Sequence, residues 1–189
     1  MLLVMDMIND ITHDESPGAA RFRPQLAERD VLSRTAALIQ RARLSGTPIG
    51  FVRVGFSPDY REVHPGSAIF ARARKHDIFK LGTWGTQVHE TLAPAAGDYD
   101  IIKHRVSPFY GTSLEVLLRA NRVERLLLCG VSTNGVVHTG AREAHDRDYE
   151  CLVVEDCCAA ASAAEHAAAI SCIEGYAAIV DSGHSELLP

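Results

Sequence analysis

Short, nearly unbroken runs of Val, Ile and Leu recur along the chain at Met1–Met5, Pro48–Val54, Asp98–Lys103, Arg125–Gly130, Glu150–Glu155 and Ala177–Asp181. Runs this short that lack a polar-apolar alternation predict strands covered on both faces, the mark of a parallel sheet between helical layers. The segments between them carry the complementary pattern. Leu32, Ala36, Leu38, Ile39 and Ala42 form the apolar stripe of one helix that ends near Gly46, and Leu114, Val116, Leu117 and Leu118 form another. A further helix is predicted over Thr133–Arg147, and Ala159–Ala169 reads as a loop entering a good helix former. Six parallel strands joined by right-handed helical crossovers make an α/β fold. The stretch Gly55–Gly82, with Pro58 and Pro65 and no clear period, breaks this rhythm. It predicts a long loop arching over the carboxyl ends of the strands, where open α/β sheets bind ligands.

Composition narrows the function classes. A chain of 189 residues, 47% hydrophobic and 23% charged, matches a single globular domain over 1–189 with one substantial core. The net charge of −5 argues against nucleic acid as a partner, because such binding rests on clustered Lys and Arg. Small molecules are expected instead. The five cysteines, Cys129, Cys151, Cys157, Cys158 and Cys172, are odd in number and lack metal-ligand spacing; several lie in or beside apolar runs, which fits a reducing cytoplasm. Asp6 cuts off the apolar opening, and no basic segment precedes it, so Met1–Met5 reads as a strand and not as a signal peptide or membrane span.

Three places carry candidate chemistry. Asp6 directly follows the first strand, which puts a carboxylate at the carboxyl edge of the sheet, where it can act as acid or base; the plainer alternative is a turn capped together with Asn9 and Asp10. Lys103 closes the third strand, followed by His104 and Arg105. A lysine there lowers the pKa of a neighbouring carboxylate or holds an anionic or carbonyl oxygen, unless it is simply solvated. The turn Ser132-Thr133-Asn134-Gly135 joins a strand to a helix and offers backbone N–H groups toward the crevice, although an ordinary helix cap explains it equally well.

Taken together, these segments resemble the isochorismatase-like hydrolase family, also called the cysteine hydrolase superfamily. The resemblance covers nearly the whole chain and is carried by Leu2-Leu3-Val4-Met5-Asp6-Met7-Ile8-Asn9-Asp10, Leu81-Gly82-Thr83-Trp84, and Ile102-Lys103-His104-Arg105-Val106-Ser107-Pro108-Phe109-Tyr110-Gly111-Thr112. It continues through Leu128-Cys129-Gly130-Val131-Ser132-Thr133-Asn134-Gly135-Val136-Val137, Ala141-Arg142-Glu143-Ala144 and Val153-Val154-Glu155-Asp156. The resemblance implies a Rossmann-like three-layer α/β/α domain with a six-stranded parallel sheet, assembled as a homodimer or homotetramer with pockets near subunit contacts. In most members a Cys at the helix start attacks a carbonyl, an Asp takes its proton, a Lys supports the pair, and N–H groups after a cis peptide hold the oxyanion. Asp6 and Lys103 match the Asp and the Lys, and Val131-Ser132 matches the cis bond.

Val136 stands at the position of the family's Cys, and a valine has neither a nucleophilic nor a titratable atom. Ile8 stands where many relatives carry a Gln that contacts substrate. The Asp-x-His pair that binds a metal in some relatives is missing from Val54–Asp59, so neither a metal nor another cofactor is expected. True isochorismatases also lack the Cys, and Lys103-His104-Arg105-Val106-Ser107-Pro108-Phe109 is similar to their Lys-Trp-Arg-Tyr-Ser-Ala-Phe. Those enzymes cleave a vinyl ether with the Asp as general acid and Lys and Arg side chains holding carboxylates. On this resemblance Asp6 and Lys103 are the expected catalytic pair. Arg105, Trp84, Phe109, Tyr110, Ser132, Thr133, Asn134, Gly135 and Val136 are the expected substrate contacts, with the aromatic residues either walling a planar substrate or filling the core. The expected function is Cys-free hydrolysis of a small polar metabolite, with vinyl-ether cleavage favoured. The alternatives are amide or ureide hydrolysis by Asp6-activated water, and a silent member that binds a metabolite or partner.

Overall fold

A computed structural model of the chain describes residues 1–184, 187 and 188. Six strands form its sheet: β1 (Leu2–Met5), β2 (Ile49–Val54), β3 (Tyr99–Lys103), β4 (Arg125–Val131), β5 (Glu150–Ala159) and β6 (Ala178–Val180). The α-helices among the described residues are α1 (Asn9–Thr12), α2 (Arg23–Glu28), α3 (Val31–Leu44), α4 (Ala71–His76), α5 (Leu114–Ala120), α6 (His138–His145) and α7 (Ala163–Ile173). The strands are all parallel, in the order β3-β2-β1-β4-β5-β6. This is the expected Rossmann-like α/β fold, with the buried apolar strands running between helical layers.

The order places the functional edge. Strand β1 lies between β2 and β4, with Met5 opposite Val52 on one side and Gly130 on the other. Chain progression reverses at this point, running outward through β2 and β3 in one direction and through β4 to β6 in the other. In parallel sheets such a reversal leaves a crevice beyond the carboxyl ends of the two central strands. Asp6 follows β1 and Ser132 follows β4, so both candidate segments leave the sheet at the switch point.

Three elements depart from the pattern read along the sequence. Strand β5 continues past Glu155 to Ala159, because β4 shifts register after Leu128 and then pairs Gly130 with Cys158 and Val131 with Ala159. The extension puts Cys157 and Cys158 inside the sheet, where burial pushes the Cys157 thiol up to about 12. The predicted helix over Thr133–Arg147 is a π-helical turn, Thr133–Val137, followed by α6. Finally, Gly55–Gly82 is not a structureless arch. Phe56 is fully buried, bridges to Lys80, and packs its ring against Phe70 and Tyr60 with centroids 5.2 and 6.2 Å apart. With α4 inside it, the segment carries an aromatic cluster that joins the main core, which periodicity does not reveal.

Gly130 is where the sheet tolerates no side chain. Its φ of +152° lies in the region L side chains avoid, and a Cβ there would overlap the carbonyl oxygen and Cβ of Met5 in the adjacent strand. Gly130→Ala is therefore expected to cost roughly 2–4 kcal/mol in urea unfolding, since both backbones belong to the central pair of strands. A loss under about 0.5 kcal/mol would show that the β1–β4 contact is looser than described.

Candidate active site

Asp6 adopts a left-handed backbone conformation, with φ of +55°, as the chain turns off β1. Its N–H still donates to Val52 O at 2.7 Å, which fixes the turn to the end of β2. The carboxylate is thereby directed along the strand ends. Oδ1 accepts from the Val54 N–H at 2.8 Å, and Oδ2 pairs with Lys103 Nζ at 2.8 Å. Lys103 arrives there because β3 pairs with β2 so that Lys103 lies beside Val54. Its ammonium also donates to Arg105 O at 3.0 Å. Asp6 is 6% exposed and Lys103 1%. Burial raises the Asp6 carboxyl above the usual carboxylate range, while the charge and hydrogen bond of Lys103 and the Val54 N–H pull it back.

Both plainer readings of these residues are thereby set aside. Asp6 does not cap a turn with its neighbours: Asn9 donates to Trp84 O at 2.9 Å, and Asp10 accepts from the Phe79 N–H at 2.7 Å. Lys103 is not solvated at a strand end, because the carboxylate that follows β1 holds it inside.

On the other side of the switch point, β4 ends in a cis peptide between Val131 and Ser132. The chain then coils tightly, with Gly135 N and Val137 N both donating to Ser132 O at 3.1 and 3.3 Å. Ser132 does not cap the turn with its side chain. The Thr133 hydroxyl is fully buried and bonds His166 Nδ1 at 2.8 Å, whereas Asn134 is exposed and donates to Glu165 at 2.9 Å. A Cβ at Gly135 would come within 2.7 Å of Ser132 Oγ, a contact that rotation of the serine hydroxyl relieves. Val136 is buried. Cys129 sits inside β4 with its thiol against Leu3 O at 3.6 Å, and burial raises its pKa far above that of a free thiol. It is packing, not a displaced nucleophile.

The remaining expected contacts divide. Arg105 supports Lys103 through its carbonyl, while its guanidinium Nη1 donates to Glu62 O at 3.0 Å and His104 O at 2.6 Å, fastening the Gly55–Gly82 segment to the end of β3. Phe109 takes the second of its two expected places. It lies in the core, with the Arg147 guanidinium 4.6 Å from its ring centroid and Tyr149 stacked at 6.4 Å, so it does not wall a crevice. Tyr110, by contrast, is 67% exposed, and Trp84 is 45% exposed with an edge contact to His13 at 4.8 Å. Ile8 is fully buried. Sequence reasoning missed the partners of the turn, His166, Glu155 and Arg29. The available signal was a histidine at position 166 set in the Ala-rich stretch of α7.

Residues 1–184 match the isochorismatase domain. The chain belongs to the isochorismatase family of hydrolases. It is 36% identical over 137 residues to the isochorismatase family protein YecD of Escherichia coli O157:H7, covering 72% of this chain and 71% of that one. It is 30% identical over 138 residues to ureidoacrylate amidohydrolase RutB of Methylorubrum extorquens, covering 67% of this chain and spanning 56% of the relative's length. Among solved structures, N-carbamoylsarcosine amidase from Thermoplasma acidophilum superposes with a TM-score of 0.78 at 30% identity, covering 98% of this chain and 97% of that one. A cysteine hydrolase from Pseudomonas syringae pv. phaseolicola reaches a TM-score of 0.85 at 23% identity, covering 96% and 87%, a likeness of fold.

The ion pair generates a prediction about pH. A carboxyl with a raised folded-state pKa contributes stability that is complete below its unfolded pKa and is lost as pH rises through the folded one. Lys103→Met removes the cation that opposes this loss. The variant is expected to be about 3–5 kcal/mol less stable than wild type at pH 7, with the deficit shrinking toward pH 4 as Asp6 takes up a proton. Urea titrations at a series of pH values test it; a deficit independent of pH would mean that Lys103 acts through packing alone.

Proposed function

We propose that the protein hydrolyses a small polar metabolite without a nucleophilic thiol, using Asp6 to move the proton and Lys103 and Arg105 to hold an anionic or carbonyl group. The observation that carries this reading is the buried Asp6–Lys103 pair at the switch point, beside a turn in which valine stands at position 136. Burying two charges costs several kcal/mol each in lost hydration, and apolar residues of similar volume pack as well or better. A pair held at the carboxyl ends of the central strands is therefore better explained by chemistry than by packing.

Vinyl-ether cleavage asks least of these residues. Protonated Asp6, favoured by its raised pKa, delivers a proton to the enol carbon and leaves an oxocarbenium ion, which water attacks. The water's proton returns to the Asp6 carboxylate, and the hemiketal collapses to an alcohol and a ketone. No enzyme-bound intermediate is required, so Val136 is no obstacle. Lys103 keeps the carboxyl oriented and the local charge balanced, and Arg105 Nε and Nη2, which make no hydrogen bond among the described residues, are suited to a substrate carboxylate.

The likeness to ureidoacrylate amidohydrolase and N-carbamoylsarcosine amidase favours a second reading, C–N hydrolysis by water activated at ionised Asp6. Exposed Trp84 and Tyr110 suit a planar amide or ureide. Four buried unpaired thiols support a reducing cytoplasm, and the exposed Ile69, Tyr110 and Val116 support self-association as a homodimer or homotetramer.

Mass spectrometry of a metabolite mixture containing isochorismate and small amides, incubated with wild type and with Asp6→Asn, tests both readings. Pyruvate released by wild type and reduced about 10²–10⁴-fold in the variant supports vinyl-ether cleavage; ammonia with the same dependence supports the amide reading. Equal, background-level product from both proteins would overturn the hydrolytic proposal in favour of a binding protein.

A further inference from the structure

Behind the turn that follows β4 lies a continuous chain of polar side chains that the proposed chemistry does not use. Thr133 Oγ1 bonds His166 Nδ1 at 2.8 Å, and His166 Nε2 bonds Glu155 Oε2 at 3.0 Å. Glu155 Oε2 accepts from Arg29 Nη2 at 2.6 Å, and Arg29 also donates to Glu155 O at 3.0 Å and Cys158 O at 3.2 Å. Thr133 is fully buried and His166 is 5% exposed.

The chemistry of the partners fixes the direction of every bond. Arg29 only donates, so Glu155 Oε2, which takes its hydrogen bond, is the acceptor that faces His166 Nε2. His166 must then carry its proton on Nε2, which leaves the Nδ1 lone pair to receive the Thr133 hydroxyl proton. Burial lowers the His166 pKa, with the Arg29 charge in the same sense and Glu155 opposing, which keeps the ring neutral and this tautomer in place. The chain thus runs from a guanidinium on the α2 side of the sheet, through β5 and α7, to the first residue of the turn.

We propose that His166 is a positioning residue: by accepting the Thr133 hydroxyl it holds the turn Ser132–Val137 in one place beside the Asp6–Lys103 pair. The assignment rests on the hydrolytic reading for its purpose, although the bond it invokes stands without it. With valine at 136 the turn supplies no reacting side-chain thiol, so what it offers a substrate is its shape and its backbone groups. Those depend on where Thr133 is pinned. An apolar residue at 166 would fill the same space and leave a buried hydroxyl without a partner.

Two pairs of variants separate positioning from space-filling. In H166N the amide oxygen takes the place of Nδ1 and keeps the Thr133 bond, whereas in H166Q the longer side chain reaches the place of Nε2 and keeps only Glu155. T133V removes the hydroxyl at constant shape, and T133S restores it. Amide hydrogen exchange across 132–137, followed by NMR without any substrate, is expected to quicken at least about tenfold in H166Q and T133V and to return toward wild type in H166N and T133S. In the same samples α3 and β2 serve as internal controls. Where a substrate is in hand, kcat should fall about 10–100-fold in H166Q and T133V with KM little changed. Equal losses in H166N and H166Q, or unchanged exchange in T133V, would overturn the proposal; if H166Q does not fold, the Thr133 pair decides. Because exchange needs no turnover, a wild type that hydrolyses nothing refutes the hydrolytic reading without touching this result.

Discussion

An aspartate taken out of water at the end of a central strand must find a cation or give up its charge, and much of this molecule's functional edge is arranged around that requirement. Asp6 accepts from one backbone N–H and pairs with one ammonium, and the ammonium is in turn bonded to Arg105 O. Each contact fixes a different element. The Val54 bond needs β2 in register with β1, the Lys103 pair needs β3 in register with β2, and the Arg105 carbonyl needs the chain after β3 to double back. Arg105 then fastens that stretch to Glu62 and so anchors the Gly55–Gly82 segment. Desolvating two ions costs more than their attraction returns unless the geometry and the remaining hydrogen bonds are nearly complete. The strand ends are therefore constrained by electrostatics as well as by apolar packing.

The fold was legible because parallel strands announce themselves. Residues buried on both faces leave no room for polar alternation, so all six runs stood out, and five of them end within a residue or two of the observed strands. The sixth shows what patterning omits. Glu155 and Asp156 look like the end of a strand, yet β5 runs on through them because β4 slips register and accepts a longer partner. Their charges are tolerated inside a strand because Arg29 and Arg34 reach them from the α2–α3 side at 2.6 and 3.1 Å. That compensation lies more than a hundred residues away in sequence, and no local window contains it. The same holds for Gly55–Gly82, whose Phe56, Tyr60 and Phe70 form a cluster without any period.

Within the site, legibility followed the backbone. Asp6 and Lys103 could be placed because a residue at a strand terminus has a known location once the strand order is known. Arg105, Phe109 and Thr133 could not, since each sits in a connection whose path decides where the side chain goes. Arg105 turns its guanidinium to carbonyls, Phe109 turns inward beneath Arg147 and Tyr149, and Thr133 turns away from solvent to His166. His166 itself belongs to no motif. Its only sequence signal is incongruity, a titratable ring in an Ala-rich helix, buried on the same face as Ala169 and Ile173.

On the proposed reading, valine at position 136 leaves the turn after β4 without a nucleophilic side chain. A thiol nucleophile divides hydrolysis into two steps and needs a base beside it to become a thiolate. On the proposed reading Asp6 would act on the substrate or water itself, and the state of its proton would select the chemistry. The protonated carboxyl, favoured by burial, is an acid and suits enol-carbon protonation; the carboxylate, favoured by Lys103, is a base and suits water activation. The two opposing influences on one side chain thus correspond to the two proposed readings, between which a substrate's charge would tip the balance. An anionic substrate placed beside Asp6 disfavours the carboxylate further by like-charge repulsion and draws the site toward acid catalysis. A neutral amide adds no such charge and leaves Lys103 free to hold Asp6 ionised.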